Sequence, residues 1–169
     1  MADIDTQKAA IKLLDRRAID ALAARADESP RRRHNLNLHP LLSDPIQRFL
    51  NAGEPGSYVR PHRHVAERWE MFAVLRGAIA LWVFAPDGAI AERATLAADG
   101  GGVVEIPGGV WHSIAFMAPG SVALEIKPGP YVADTDKEFA PWSPREGEAA
   151  AARFLDWLAA APLGAVWRG

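Results

Sequence analysis

The stretch that decides the fold is GSYVRPHRHVAERWEMFAVLRG, residues 56–77. Within it His62 and His64 are separated by one residue, and two glutamates, Glu67 and Glu70, follow them. Side chains two positions apart on a β-strand point to the same side of the sheet, so both imidazoles could reach one metal ion. The pattern predicts a metal site, and it leaves two candidates for a carboxylate ligand.

The spacing favours Glu70 as that ligand. A glycine at each end of the stretch marks a turn, which predicts a hairpin of two strands connected by residues 65–68. Glu70 would then begin the return strand opposite the histidines, and Glu67 would lie in the loop. If the first strand continued instead, Glu67 would have the opposite parity to His64 and face away. We therefore interpret Glu67 as a solvated loop residue.

A further ligand has to come from elsewhere in the chain, and IPGGVWH, residues 106–112, supplies His112 directly after a turn. A lone histidine in such a place is more often structural, so the case for His112 depends on its combination with the first stretch. Three imidazoles and a carboxylate suit one divalent transition metal ion, and no thiolate selects among Mn, Fe, Co, Ni, Cu and Zn.

The surrounding sequence predicts a mainly β protein with a helix at each end. Between residues 31 and 131 short apolar runs alternate with turn signals, which is typical of a β-sandwich or barrel. We divide the chain into an N-terminal helical extension (1–29), a β-barrel (30–142) and a C-terminal helix and tail (143–169).

The predicted N-terminal helix has one apolar face and a choice of caps. Its apolar side chains are Ile11, Leu14, Ala18 and Leu22, and its N-cap is Asp5 or Thr6.

In the C-terminal helix the sequence SPRE places Ser143 at the N-cap and Glu146 at the capping-box position. Ala151, Phe154, Leu155 and Leu158 form its apolar stripe, and Pro162 ends it.

The composition excludes several classes of protein. The formal charge of −2, from 19 basic and 21 acidic residues, gives no basis for binding nucleic acid, and the triple arginine at 31–33 is interpreted as a solvated patch. There is no cysteine, so disulfides and thiolate metal sites are absent. No apolar run approaches the roughly 20 residues that span a bilayer, and the first residues are too charged for a signal peptide. We expect no membrane contact and a cytoplasmic location.

Three residues are candidates for contact with a small-molecule ligand. If the strand before His62 is regular, Tyr58 and Arg60 share its face, and Arg60 could bind a substrate carboxylate or phosphate or else be a rim residue bonded to a nearby carboxylate of the protein. Asn35 belongs to an alternating polar segment that could face the mouth of a barrel or simply form turns.

A second pair of polar side chains, Glu125 and Lys127, also shares one strand face. The alternating apolar residues Val122, Leu124 and Ile126 define the two faces of this strand without showing which one lies inside.

The first stretch resembles a known motif. Gly56-x5-His62-x-His64-x5-Glu70-x6-Gly77 resembles the first motif of the cupin superfamily, with one more residue than usual between the second histidine and the glutamate.

The second stretch resembles the second cupin motif. It reads Gly101-x5-Pro107-x-Gly109-x2-His112, and Phe116 stands where many cupins have an asparagine. The resemblance implies a jelly-roll barrel, also called a double-stranded β-helix, with a metal bound by the three histidines and the glutamate. It also implies pairing of barrels into a homodimer.

Longer segments between residues 30 and 147 look like the WbuC-type cupin-fold metalloproteins, a family associated with bacterial surface-polysaccharide gene clusters. That resemblance implies a metal-dependent enzyme acting on a small polar molecule, such as a sugar or sugar derivative. It does not name a reaction, and it leaves open whether the protein is an enzyme. The alternative is a non-catalytic module that binds or senses a small ligand through its metal.

Overall fold

The structure, a computed structural model, describes residues 11–169 and is mainly β. The two α-helices are α1 (Arg16–Glu28) and α2 (Ala149–Ala160), and a 3-10 turn covers Ala98–Gly100. The strands are β1 (Arg33–Asn37), β2 (Ile46–Gly53), β3 (His62–Arg63), β4 (Glu70–Arg76), β5 (Ala78–Phe84), β6 (Ile90–Ala97), β7 (Val103–Ile106), β8 (Trp111–Phe116), β9 (Ser121–Pro128) and β10 (Glu138–Phe139). Neither helix is long and apolar enough to cross a membrane in the part of the chain that the structure describes.

The strands form two five-stranded antiparallel sheets. Sheet A has the order β1-β2-β9-β4-β7, and sheet B has the order β10-β3-β8-β5-β6. Phe72 of sheet A belongs to one buried apolar cluster with Leu81, Ile114 and Phe116 of sheet B. Because this cluster draws on both sheets, they pack face to face around it, which confirms the predicted two-sheet barrel architecture with helices at its ends.

The N-terminal helix begins later than the sequence predicts. Asp15 is the N-cap, since its side chain accepts a hydrogen bond of 3.1 Å from the Ala18 amide, and α1 starts at Arg16. Ile11, expected on the apolar face, is instead 75% exposed. The alternative caps, Asp5 and Thr6, lie outside the described residues.

The predicted start of the C-terminal helix is wrong. Ser143 does not cap α2, whose N-cap position is Glu148. The Ser143 hydroxyl donates to the Ala140 carbonyl oxygen at 2.9 Å and accepts from Arg60 Nε at 3.1 Å. Its hydroxyl therefore stabilises the chain that precedes the helix and does not cap the helix itself.

Glu146 is likewise used for a tertiary contact rather than a capping box. Its carboxylate accepts from Arg31 Nε at 2.6 Å and from Arg33 at 2.8 Å. The hydrogen bond from Arg31 lowers the pKa of Glu146 from its ordinary value. The arginine run therefore joins the entry to β1 to the segment before α2, instead of standing free in solvent.

The apolar stripe of α2 is confirmed. Ala151, Phe154 and Leu158 are buried against the outer side of sheet B, with Trp82 in the same cluster. Trp167 from the C-terminal tail packs edge-on against Phe154, at 5.4 Å between ring centroids. The tail is thus held by aromatic contacts with the helix that precedes it.

Phe154→Ala should lower the free energy of unfolding by about 3–5 kcal/mol, because Phe154 is fully buried and the truncation leaves a cavity. Urea denaturation followed by circular dichroism measures the change. The matched control is Arg153→Ala, at an exposed position on the same helix. It should change the free energy of unfolding by less than about 0.5 kcal/mol. A similar change for both variants would show that α2 contributes little to stability.

Candidate metal centre

The three predicted histidines and Glu70 converge from both sheets. His62 on β3 and His112 on β8 are register partners in sheet B, and His64 follows β3 directly. Glu70 is the first residue of β4 in sheet A. The predicted hairpin is therefore wrong: the connection 64–69 crosses from one sheet to the other, and the carboxylate approaches the imidazoles from the facing sheet.

The four side chains form a compact buried group. One ligand atom from each lies within 4.8 Å of those of the others, and the residues are only 2–6% exposed. His64 Nε2 is 3.5 Å from one Glu70 carboxylate oxygen, and His112 Nε2 contacts the other. His62 stands between the other two rings, with its centroid 5.2 Å from that of His64 and 4.4 Å from that of His112.

Backbone hydrogen bonds fix the orientation of all three imidazoles. Each ring places Nδ1 against a main-chain carbonyl oxygen, which can only accept, so Nδ1 carries the proton and Nε2 offers a lone pair to the centre. The carbonyl partners are those of Arg60 for His62 (2.9 Å), Asp136 for His64 and Val110 for His112 (2.9 Å).

The charges of the group fit a cation at its centre. Nε2 of His64, Nε2 of His112 and Oε1 of Glu70 are buried without a hydrogen-bond partner. Burial alone would raise the pKa of Glu70 and lower that of His112, yet their mutual attraction lowers the first well below its ordinary value and raises the second. The facing acceptors require a proton or a cation between them, and the lone pairs that converge there suit a divalent metal ion.

The burial of His62 favours the form that binds metal. Desolvation, followed by the neighbouring His112, lowers the pKa of His62 well below its ordinary value, so its imidazole is neutral. Only the neutral ring has a lone pair for a metal ion.

Glu67 and the two remaining histidines, His34 and His39, lie outside this group. Glu67 is exposed in the connection between the sheets, in agreement with its interpretation as a loop residue. His34 is exposed on β1, and His39 is buried with its Nδ1 3.0 Å from the Arg48 amide that donates to it.

A cavity of about 670 Å³ opens beside the buried group, within the size range of small-molecule sites. His62, Glu70 and His112 line one part of it, and Glu125 and Lys127 line another. The four-residue group is therefore not sealed inside the barrel but borders a space that a small molecule can occupy.

Tyr58 is placed contrary to the prediction. The segment 57–61 contains no regular strand, so the parity argument fails there. The Tyr58 ring packs under α2 against Phe154, and its hydroxyl donates to the Pro144 carbonyl oxygen at 2.8 Å. It does not line the cavity.

The other two candidates do line the cavity. The Arg60 guanidinium donates to Ser143 Oγ at 3.1 Å and to the Ala140 carbonyl oxygen at 2.9 Å. Asn35 lies on β1, at the edge of sheet A, and its amide donates to Asn37 Oδ1 at 2.8 Å.

Glu125 and Lys127 are inside the barrel, which answers the question that their strand left open. Val122 and Leu124 pack with Leu22 of α1 on the outer side, so the polar face of β9 points inward. Burial, and then the charge of Glu70, raise the pKa of Glu125 to about 7.

Asp136 is an important residue that sequence reasoning missed. Its backbone carbonyl accepts the hydrogen bond from His64, and its carboxylate accepts from Arg68 at 3.1 Å and from Lys127 at 3.2 Å. It lies in an irregular segment where no periodicity identifies an inward side chain. Asn51 was also missed, although its position on β2, four residues after the inward Gln47, carried a parity signal.

Comparison with known proteins agrees with the fold but assigns no activity. A sequence-family model described as a domain of unknown function (DUF6016) matches residues 14–96, a range that ends before His112. No curated protein matches the sequence.

Similar solved structures include CapF with the inhibitor 3-isopropenyl-tropolone, at 20% identity and a TM-score of 0.54 over 62% of this chain and 30% of CapF. The capsular polysaccharide assembling protein CapF from Staphylococcus aureus matches with 23% identity and a TM-score of 0.50 over 57% of this chain and 27% of that one. A cupin superfamily protein of Desulfitobacterium hafniense matches with 18% identity and a TM-score of 0.45 over 57% of this chain and 76% of that one. This chain thus spans less than a third of the length of CapF. At such identities the likeness concerns the fold alone, and the match to CapF together with the two-sheet topology shows that this chain has the cupin jelly-roll fold.

Proposed function

We propose that His62, His64, Glu70 and His112 bind one divalent transition metal ion and that the protein is a metal-dependent enzyme acting on a small polar molecule. The observation that carries the proposal is the combination of four converging buried donors with an adjoining cavity of about 670 Å³. A metal used only to brace the barrel would need no such cavity.

The sugar part of the proposal has a separate basis. The motifs resemble those of WbuC-type cupins, which supports a sugar or sugar derivative of surface-polysaccharide metabolism as the substrate. The ion could be Mn, Fe, Co, Ni, Cu or Zn, since imidazole and carboxylate donors suit all of them.

Different residues of the chain would have different roles at such a site. His62, His64, Glu70 and His112 would hold the ion, which would supply Lewis-acid chemistry or activation of a bound water. The backbone carbonyls that accept from the three Nδ1–H groups fix the orientation of the rings, so that Nε2 of each faces the proposed ion. Arg60 and Glu125 on the cavity wall are in place to orient a polar substrate.

Other expectations stay predictions. We propose that residues 30–142 form the barrel unit with helical extensions on either side, that barrels pair into a homodimer, and that the protein is cytoplasmic. Light scattering coupled to size exclusion measures the oligomeric state, and a monomer at micromolar concentration would contradict the dimer.

Metal analysis tests the ligand set. Purified protein should contain close to one transition-metal ion per chain, and His112→Ala should lose most of it, because removal of a ligand opens the site. Inductively coupled plasma mass spectrometry measures the metal content. Wild-type protein that stays metal-free after incubation with each candidate ion would refute the proposed site.

The two glutamates provide a matched pair. Glu70→Gln should weaken metal affinity by tenfold or more, whereas Glu67→Gln, in the exposed connection, should leave it within twofold. Titration against a fluorescent chelator measures both affinities. Equal losses would contradict the assignment of Glu70.

Turnover is tested with metal-loaded protein on a panel of sugar nucleotides, sugar acids and keto acids, with and without O₂. The proposal expects product formation that disappears in His112→Ala. Ligand-induced stabilisation without turnover on any compound would instead favour a binding or sensing module.

A further inference from the structure

Sheet A presents polar side chains toward the barrel interior, where a purely structural strand would present apolar ones. Glu125 and Lys127 on β9 face inward and are 7% and 5% exposed. Asn51 on the neighbouring strand β2 faces the same cavity. Burial of charged groups is unfavourable unless they are paired or serve a ligand.

Local pairing accounts for Lys127 but leaves Glu125 only partly satisfied. Lys127 Nζ lies 3.2 Å from the Asp136 carboxylate, and the two carboxylates near it raise its pKa despite burial. Glu125 Oε2 accepts from Asn51 at 2.7 Å, but its Oε1 has Lys127 Nζ only at 3.6 Å. Within residues 11–169, Oε1 accepts no hydrogen bond from the protein, so an acceptor is available for a hydroxyl group.

A second feature of the wall is a positive charge, that of Arg60, which forms no ion pair with the residues that the structure describes. Arg60 lines the cavity, and its guanidinium carbon lies 5.1 Å from the centroid of the Phe139 ring, another lining residue. The hydrogen bonds of the guanidinium go to uncharged oxygens: the hydroxyl and carbonyl of Ser143 and the carbonyl of Ala140. A guanidinium cannot lose its proton in a protein, so this charge stays. It attracts an anion such as a carboxylate.

The charge of the whole cavity points the same way. Five basic and four acidic side chains line it, a formal charge of +1 before any metal is bound. A divalent ion on the four proposed ligands would raise that to +3. The basic residues are Arg31, Arg33, Arg60, Lys127 and Lys137, and the acidic ones are Glu70, Glu125, Asp136 and Glu146.

We propose that Arg60 on one side and the Asn51–Glu125 pair on the other form a recognition site for a small organic acid that also carries hydroxyl groups, of the size of a hexuronic acid. Arg60 binds the carboxylate, and Glu125 Oε1 accepts a hydrogen bond from a hydroxyl. This inference rests on the proposed function, because it names the substrate class of the same cavity.

Three matched probes separate the two halves of the site. D-galacturonate carries both a carboxylate and hydroxyls, D-galactose lacks the carboxylate, and acetate lacks the hydroxyls. Isothermal titration calorimetry with zinc-loaded protein should show galacturonate binding at least tenfold more tightly than either of the others. Failure to bind galacturonate, or galactose bound as tightly as galacturonate, overturns the inference.

Variants assign each half to its residues. Arg60→Gln should lower the affinity for galacturonate and for acetate about tenfold and leave the affinity for galactose within twofold. Arg60→Lys keeps the charge, so it should retain most of the preference for the acid. Glu125→Ala should lower the affinities for galacturonate and for galactose about tenfold relative to the affinity for acetate. The comparison with acetate removes the effect of the lost carboxylate charge on anion binding. Asn51→Ala should act in the same direction, since Asn51 holds the Glu125 carboxylate.

Controls keep the outcomes distinct. Glu67→Ala removes an exposed carboxylate from the connection between the sheets and should change no affinity. Each variant should retain one zinc ion per chain, and a variant that does not is replaced by its partner in the same half of the site.

Unchanged probe ratios in both Glu125→Ala and Asn51→Ala overturn the hydroxyl half. Wild-type protein without zinc overturns the proposed function itself, whereas zinc-loaded protein without acid preference overturns only this inference.

Discussion

The contact between the Glu70 carboxylate of sheet A and the His112 imidazole of sheet B is the constraint around which the rest of the site is organised. Two buried groups that accept hydrogen bonds face each other there and need a positive charge between them. The unfavourable alternative, an unpaired carboxylate in the interior of the barrel, explains why this position must hold a proton or a cation. The imidazoles are turned toward that point by main-chain carbonyls, so the surrounding backbone also serves the same electrostatic requirement.

The two faces of β9 show how the barrel combines stability with a polar interior. Its apolar side chains Val122 and Leu124 are covered by α1, and its charged side chains face the cavity. Helix α1 thus adds apolar burial on the outside of β2 and β9, the strands whose inner faces carry Asn51, Glu125 and Lys127. In the same way α2 covers the outer side of sheet B with Phe154 and Leu158. The helical extensions are therefore part of what makes a hydrophilic cavity compatible with a stable fold.

The sequence was sufficient to predict which residues form the buried group, but not to predict how the chain connects them. Strand parity put His62 and His64 on one face, and spacing selected Glu70 and His112, although the hairpin used to choose Glu70 is not formed. The same spacing was compatible with a hairpin or with a crossing between sheets, a choice made by long-range strand pairing. Tyr58 was misplaced because parity was applied to a segment that is not a strand.

The errors at the helix starts have a related cause. Ser143 and Glu146 have the residue types of helix caps, but tertiary partners compete for their hydrogen bonds. Asp136 could not be predicted at all, since its contacts reach two distant parts of the chain, the connection 64–69 and strand β9. Local patterns therefore predict a side chain's position where a single strand determines it. They fail where distant segments compete for hydrogen bonds with one side chain.

Asp136 has an evolutionary consequence. Its main chain holds the ring of His64 while its carboxylate holds Lys127 on the cavity wall, so one residue sets both the proposed metal ligand and the surface that a substrate would meet. An insertion or deletion in the loop that carries it would disturb both properties at once. Descendants of this barrel are therefore expected to diversify in substrate preference through the strands of sheet A, where Asn51 and Glu125 can change one at a time, rather than through the length of that loop.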